Sequence, residues 1–301
     1  IEEYCHLPVL GVIPRLMANN FPERHMGLVP FQERSHAEKA VNWAREAMVR
    51  HLRLDAILEL ARTADPLAAA ETEVFQKKES PLSGDGPRIG YILDRSFWFY
   101  YPENLEQLER LGATLVKIDA VSDPRLPDLD ALYIGGGFPE TQAEPLAANE
   151  GFRDSLKASI KQGLPVYAEC GGLMYLGETL VVDHRSYPMV GALPIKLLLE
   201  KKPQGHGYTV MEVAEANPFY PVGHSLCGHE FHYSRPILTT EKDVRFAFRV
   251  KRGHGVDGHH DGIVQHNLLA TYTHVHAVGE PRWAKSLHDA ALKRKMEKIH
   301  K

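Results

Sequence analysis

The sequence predicts an α/β fold, a mostly parallel sheet with helices on both faces and antiparallel extensions. Three observations carry this reading. Between Arg88 and Cys170, short apolar runs alternate with stretches of helical periodicity, the pattern of strand–helix–strand units. After about Val181, alternating or β-branched runs such as Tyr208–Val213 and Arg245–Val250 predict antiparallel strands. Two glycine turns, Gly135–Gly137 and Cys170–Gly172, directly follow strand-like runs, at the sheet edge where α/β folds hold ligands.

The elements follow in order. Leu7-Pro-Val-Leu-Gly-Val-Ile-Pro14 reads as a short buried strand closed by proline, followed by a loop at 22–28. From Ser35 to Thr63, Ala37, Ala40, Val41, Ala44 and Ala47 recur at helical spacing, and Leu54, Ile57 and Leu58 begin a second helix. Residues 64–87, ending in Ser80-Pro-Leu-Ser-Gly-Asp-Gly-Pro87, read as an exposed linker. Strands are expected at 89–93, 113–118, 131–134 and before Cys170, with helices starting at Pro102, after Glu140, and around Phe152, Leu156 and Ile160. Residues 282–301 predict a basic amphipathic helix with Trp283 and Leu287 on its apolar face and a solvated charged face.

Bulk properties exclude several function classes. The chain has 301 residues, 44% hydrophobic and 25% charged, with a net charge of −4. It carries no global basic field that would call for nucleic acid or an anionic membrane. Three scattered cysteines form no disulfide framework, which fits a reducing cytoplasm, and no apolar run is long enough for a membrane span. Seventeen histidines invite a metal reading, especially at His254-Gly-Val-Asp-Gly-His259-His260-Asp261 and His229-Glu-Phe-His232. No HExxH or CxxC spacing supports it, and a polar surface turn accounts for the first cluster.

Cys170 is the strongest chemical signal. A β-branched run ends in the thiol, two glycines follow, and a helical pattern begins, so the thiol stands on a sharp strand-to-helix turn beside free backbone N–H groups. A buried core cysteine is the plain alternative. A nucleophilic cysteine needs a base and an oxyanion hole. Gly135–Gly137 lies at the same sheet edge, with no following Lys-Ser/Thr to make a phosphate loop. The run Leu268–His276 ends in a His-x-His pair, in which His274 and His276 point the same way if the strand persists.

These residues resemble a known family. Tyr167-Ala-Glu-Cys-Gly-Gly-Leu-Met-Tyr-Leu176, Tyr133-Ile-Gly-Gly-Gly-Phe-Pro-Glu140, Phe99-Tyr-Tyr-Pro-Glu-Asn-Leu105, Gly228-His-Glu-Phe-His-Tyr-Ser234 and Ala270-Thr-Tyr-Thr-His-Val-His276 are similar to the amidotransferase domain of cobyrinic acid a,c-diamide synthases. Pro8–Pro14 and Pro22–Leu28 resemble the end of that family's ATP-dependent synthetase domain. The resemblance implies a class I glutamine amidotransferase-like (flavodoxin-like) sheet preceded by a remnant of a P-loop synthetase domain. Residues 1–63 would be that remnant, 64–87 a linker, 88–281 the amidotransferase domain and 282–301 a C-terminal helix.

In that family's chemistry Cys170 would attack glutamine, His274 would be the catalytic histidine, and N–H groups of Gly171 and of Gly136 or Gly137 would hold the oxyanion. Ordinary class I enzymes carry His-Pro-Glu, whereas this chain has His276 where the glutamate would stand, so a Cys–His dyad is expected. Glu169 and His276 are possible supporting groups. Glutamine and a tetrapyrrole carboxylate, cobyrinic acid or a relative such as sirohaem or nickel-sirohydrochlorin, would be the substrates. ATP and Mg²⁺ are expected of a full-length enzyme, through an N-terminal ATP-binding domain whose glycine-rich loop this sequence lacks. A non-catalytic tetrapyrrole- or metal-binding module is the reading from a different class.

Overall fold

The computed structural model describes residues 1–16, 34–66, 86–240 and 244–299. The chain folds as two compact units, Ile1–Gln76 and Lys77–Lys301.

The first unit holds α1 (Glu2–Cys5), α2 (Arg34–His51) and α3 (Leu54–Arg62). The expected buried strand at 7–14 does not form. A single antiparallel bridge joins Gly11 to Leu52, with the Arg53 N–H donating to Leu10 O at 2.7 Å. Leu7, Val12 and Ile13 stay exposed. Among the described residues the run has one bridge and no neighbouring strand to pair with, so propensity alone does not make a sheet. The loop at 22–28 and most of the expected linker, residues 67–85, lie outside the described residues.

The second unit starts with β1 (Arg88–Ile92), β2 (Phe97–Phe99), α4 (Pro102–Arg110), β3 (Thr114–Ile118), β4 (Ala131–Ile134) and the two-residue β5 (Gly136–Gly137). Next come α5 (Ala143–Ala148), α6 (Glu150–Lys161), β6 (Val166–Glu169) and α7 (Gly171–Leu176). Strands β7 (Thr179–Val182), β8 (Arg185–Pro188), β9 (Ile195–Leu199), β10 (Gly205–Val213), β11 (Ser225–His232) and β12 (Ser234–Leu238) follow. The chain closes with β13 (Arg245–Arg252), β14 (His260–Gln265), β15 (Leu268–Thr271) and α8 (Pro281–Ile299).

The main sheet has nine strands in the order β11-β10-β13-β14-β15-β6-β4-β1-β3. From β3 to β15 every pairing is parallel, and from β15 to β11 every pairing is antiparallel. This matches the parallel sheet with antiparallel extensions read from the sequence. A second sheet, β12-β9-β7-β8, has no counterpart in the sequence reading.

Period-2 alternation divides the interior. Leu132, Ile134, Val166 and Ala168 face a core shared with Leu146, Phe152, Leu156 and Ile160 of α5 and α6. Ala131, Tyr133 and Tyr167 face the opposite core with Leu108 of α4 and Trp283 and Leu287 of α8. The basic helix read at 282–301 therefore does more than present a solvated face: it covers one side of the sheet. Pro102 begins α4, where its missing N–H costs nothing. Asn149 caps α6, its side chain accepting from Phe152 N–H.

The register positions the site. Thr271 of β15 pairs with Glu169 of β6, so the residues just past both strands emerge side by side at the C-terminal edge. The loop after β4 opens at the same edge, one strand further along.

Candidate active site

Cys170 occupies the turn between β6 and α7 with φ 48° and ψ −98°, a conformation that non-glycine residues avoid. Such strain costs of order 1–3 kcal/mol and persists only where surrounding bonds over-determine it. Here the Cys170 N–H donates to Thr271 O at 2.8 Å, and Cys170 O accepts from Met174 N–H at 3.0 Å. The thiol is buried, with Sγ 3.8 Å from Phe231 O.

The glycines around it leave no room for side chains. A Cβ on Gly171 would stand 3.0 Å from both Gly137 N and Gly137 O, and one on Gly172 would meet Ile134 O at 2.5 Å. The two glycine turns thus press against each other. Gly137, with φ 153°, would drive a Cβ to 2.0 Å from Ser96 O. Gly136 has a different neighbour: a Cβ there would lie 2.6 Å from His274 Cε1. Of the two glycines offered by the sequence for the oxyanion hole, Gly137 meets Gly171 and Gly136 seats the histidine.

His274 lies three residues past the end of β15 and is buried. Its Nδ1 stands 3.2 Å from Glu169 Oε2, which leaves Nε2 as the nitrogen available to Cys170, the other group that favours its charged form. Burial works against a charged imidazole, but the bonds and charge of Cys170 and Glu169 outweigh it and hold His274 up at about 10. His274 is therefore cationic at neutral pH.

Glu169, only 1% exposed, is anchored from three sides. The Tyr133 hydroxyl donates to Oε2 at 3.0 Å, Val275 N–H donates to Oε1 at 3.3 Å, and His274 completes the set. The residue immediately before the thiol thus occupies the orienting position beside the histidine.

His276 is placed differently. Strand β15 stops at Thr271, so the alternation expected to align the two histidines ends before either. The ring of His276 is partly exposed, packs on Tyr101 at 4.6 Å, and sets Nε2 3.4 Å from Glu103. No bond from it to His274 or Cys170 occurs among the described residues.

Sequence reasoning misses three contributors. Asp261 reads as part of a polar surface turn, yet it is fully buried. It accepts from Thr271 Oγ1 at 2.6 Å and from Tyr272 N–H at 3.0 Å, fixing the bend that carries the chain to His274. Phe99 makes a T-shaped contact with the His274 ring at 4.9 Å, and His229 stacks on that ring at 5.0 Å, with Phe99 and His229 themselves 6.0 Å apart. The motifs containing Phe99 and His229 are visible, but nothing in their spacing assigns them a contact. His259 lies on the exposed turn, and His260, exposed at the start of β14, pairs with Asp257. Among the described residues no group of three or more His, Cys, Asp or Glu is arranged to hold a metal ion, and no helix is long and apolar enough to cross a membrane.

Residues 88–281 match the CobB/CobQ-like glutamine amidotransferase domain. The chain belongs to this family. Its relatives include the cobyrinate a,c-diamide synthase of Magnetococcus marinus, 44% identical over 285 residues, or 94% of this chain and 61% of the relative. Proteins of the same name from Archaeoglobus fulgidus and Listeria monocytogenes are 42% and 38% identical, covering 98% and 92% of this chain and 63% and 60% of theirs. The chain thus spans about three-fifths of the length of these relatives. Family membership makes residues 88–281 a glutamine amidotransferase domain.

Proposed function

We propose that this chain releases ammonia from glutamine through a Cys170–His274–Glu169 triad, for amidation of acetate carboxylates of cobyrinic acid. The observation that carries the first part is the placement of buried His274 with Nδ1 3.2 Å from Glu169 and with Cys170 and Glu169 both favouring its charged form. The acceptor rests on the name shared by the relatives above.

Cys170 attacks as the thiolate, its proton taken by His274 Nε2. Sγ attacks the side-chain carboxamide carbon, forming a C–S bond and placing negative charge on the carbonyl oxygen. The N–H groups of Gly171 and Gly137 hold that oxyanion. His274 then gives the Nε2 proton to the departing nitrogen, the C–N bond breaks, and ammonia leaves a glutamyl thioester. Water attacks the thioester as neutral His274 takes its proton, yielding glutamate and restoring the ion pair. Glu169 holds the ring orientation and favours the imidazolium throughout, a role that His-Pro-Glu enzymes give to a residue after the histidine.

Residues 1–63 fit the end of a synthetase domain, since the relatives align across nearly the whole chain. ATP and Mg²⁺ would activate the acceptor carboxylate there, and none of the described residues is assigned to hold them. The test is glutamate release from glutamine by the wild type beside Cys170→Ala and His274→Ala, with cobyrinic acid, ATP and Mg²⁺ added in a parallel assay. Glutaminase activity lost in both variants supports the triad. Glutamine hydrolysis that survives Cys170→Ala contradicts it.

A further inference from the structure

The motif Gly228-His-Glu-Phe-His-Tyr-Ser234 has no part in the chemistry just derived, yet its first two residues press directly on the catalytic histidine. His229 and His274 exchange backbone bonds, His229 N–H to His274 O at 3.1 Å and His274 N–H to His229 O at 2.8 Å. This is an isolated bridge outside any strand pairing, so it ties β11, the edge strand of the sheet, to the segment beyond β15. Gly228 permits the approach: a Cβ there would fall 2.2 Å from His274 O.

The side chains repeat the contact. The two imidazoles stack with centroids 5.0 Å apart and planes 24° from parallel. Tyr101 Oη lies 3.3 Å from His229 Nδ1, fixing the orientation of that ring. The His274 ring is thus flanked by Phe99 in a T-shaped contact, by Gly136 at Cε1, and by His229 stacked on one face. Charge agrees with this arrangement. Burial, and then the charge of His274, hold His229 down at about 4, so a neutral ring lies against a cationic one and the pair does not repel.

We propose that His229 is a positioning residue, the aromatic wall that keeps the His274 imidazole aimed at Cys170. The proposal rests on the glutaminase reading above. Gly228 and His229 then act jointly, since glycine admits the edge strand and the ring fills the gap. Without the wall, His274 gains freedom about its side-chain torsions. A displacement of about 1 Å in such a group costs on the order of a hundredfold in rate.

Three substitutions separate ring contact from hydrogen bonding. His229→Ala removes both, His229→Phe keeps an aromatic face, and His229→Asn keeps a polar group without a ring. The readout is the rate of Cys170 carboxamidomethylation by iodoacetamide at pH 7, resolved by peptide mass spectrometry with the exposed Cys5 as internal control, alongside kcat and KM for glutamine. Circular dichroism identifies the folded variants. We expect His229→Ala to slow modification at Cys170 about tenfold and to lower kcat with KM unchanged, with Cys5 unaffected. His229→Phe should recover most of the loss and His229→Asn little. A wild-type rate in folded His229→Ala, or better recovery by Asn than by Phe, overturns the proposal. His274→Ala supplies the separate control: if it leaves Cys170 modification unchanged, the thiolate reading fails together with the proposal built on it.

Discussion

The two units of this chain handle their apolar residues in opposite ways. In Lys77–Lys301 the central strands β4, β6 and β15 are buried on both faces, and residues such as Leu156 and Leu287 are fully buried. In Ile1–Gln76 the helices have clear helical patterning, yet no described residue of α3 is buried and Val41, Val49, Leu58 and Leu60 are exposed. Periodicity specifies a helix in either setting. A core additionally needs a second layer, which the sheet supplies in one unit and which, among the described residues, a single bridge at Gly11 does not supply in the other. Chemistry follows the same division. Strained Cys170 and cationic His274 exist only because neighbours hold them, and such neighbours are found in the second unit.

Substitutions in the two units probe that contrast. The largest effect is expected for Cys170→Ala, which should reduce glutamine hydrolysis about 10⁴-fold or more, because loss of a nucleophile leaves only binding and oxyanion stabilisation. Glu169→Gln comes next. It keeps the shape but removes the charge beside Nδ1, so kcat should fall about a hundredfold with KM for glutamine little changed. On stability, Leu156→Ala should lower the unfolding free energy of the second unit by about 2–5 kcal/mol in urea titrations, whereas Leu58→Ala in the first unit should stay within about 0.5 kcal/mol of wild type. A large cost for Leu58→Ala would remove the contrast. His276→Ala should change kcat by about twofold or less, because its partner is Glu103 at the rim.

Titration provides a subtler probe. His274 binds its proton more tightly when folded, at about 10 against an ordinary 6.5. That stabilisation is complete below pH 6.5 and is lost as pH rises through 10. The unfolding free energy should therefore decline across this window. The decline should be shallower in Cys170→Ala, since Cys170 contributes to the upward shift.

Much of the second unit is legible in the sequence because its physics is local. Strand–helix alternation, the Pro102 start of α4 and the glycines at the thiol turn each encode structure within a few residues. The long-range pairings are less accessible. Glu169 is visible beside Cys170, but its bond to His274 depends on the β6–β15 register across 105 positions. Asp261 resembles its exposed neighbours, and only β14 pairing between β13 and β15 buries it. His276 misleads because alternation does not extend past Thr271, where the bonds of Asp261 bend the chain instead. At residues 7–14 the β-branched run has strand propensity but no strand to pair with among the described residues, which propensity cannot reveal.

If Cys170 is the nucleophile and His274 activates it, the thiol must become covalently bound to the substrate carbon in a His274-dependent step. The most direct measurement uses 6-diazo-5-oxo-L-norleucine, a glutamine analogue that traps reactive thiolates, followed by peptide mass spectrometry of all three cysteines. A single adduct at Cys170 is expected, formed much more slowly in His274→Ala and protected by glutamine. An adduct at Cys5 or Cys227 instead, or labelling of Cys170 at the same rate without His274, would contradict the mechanism.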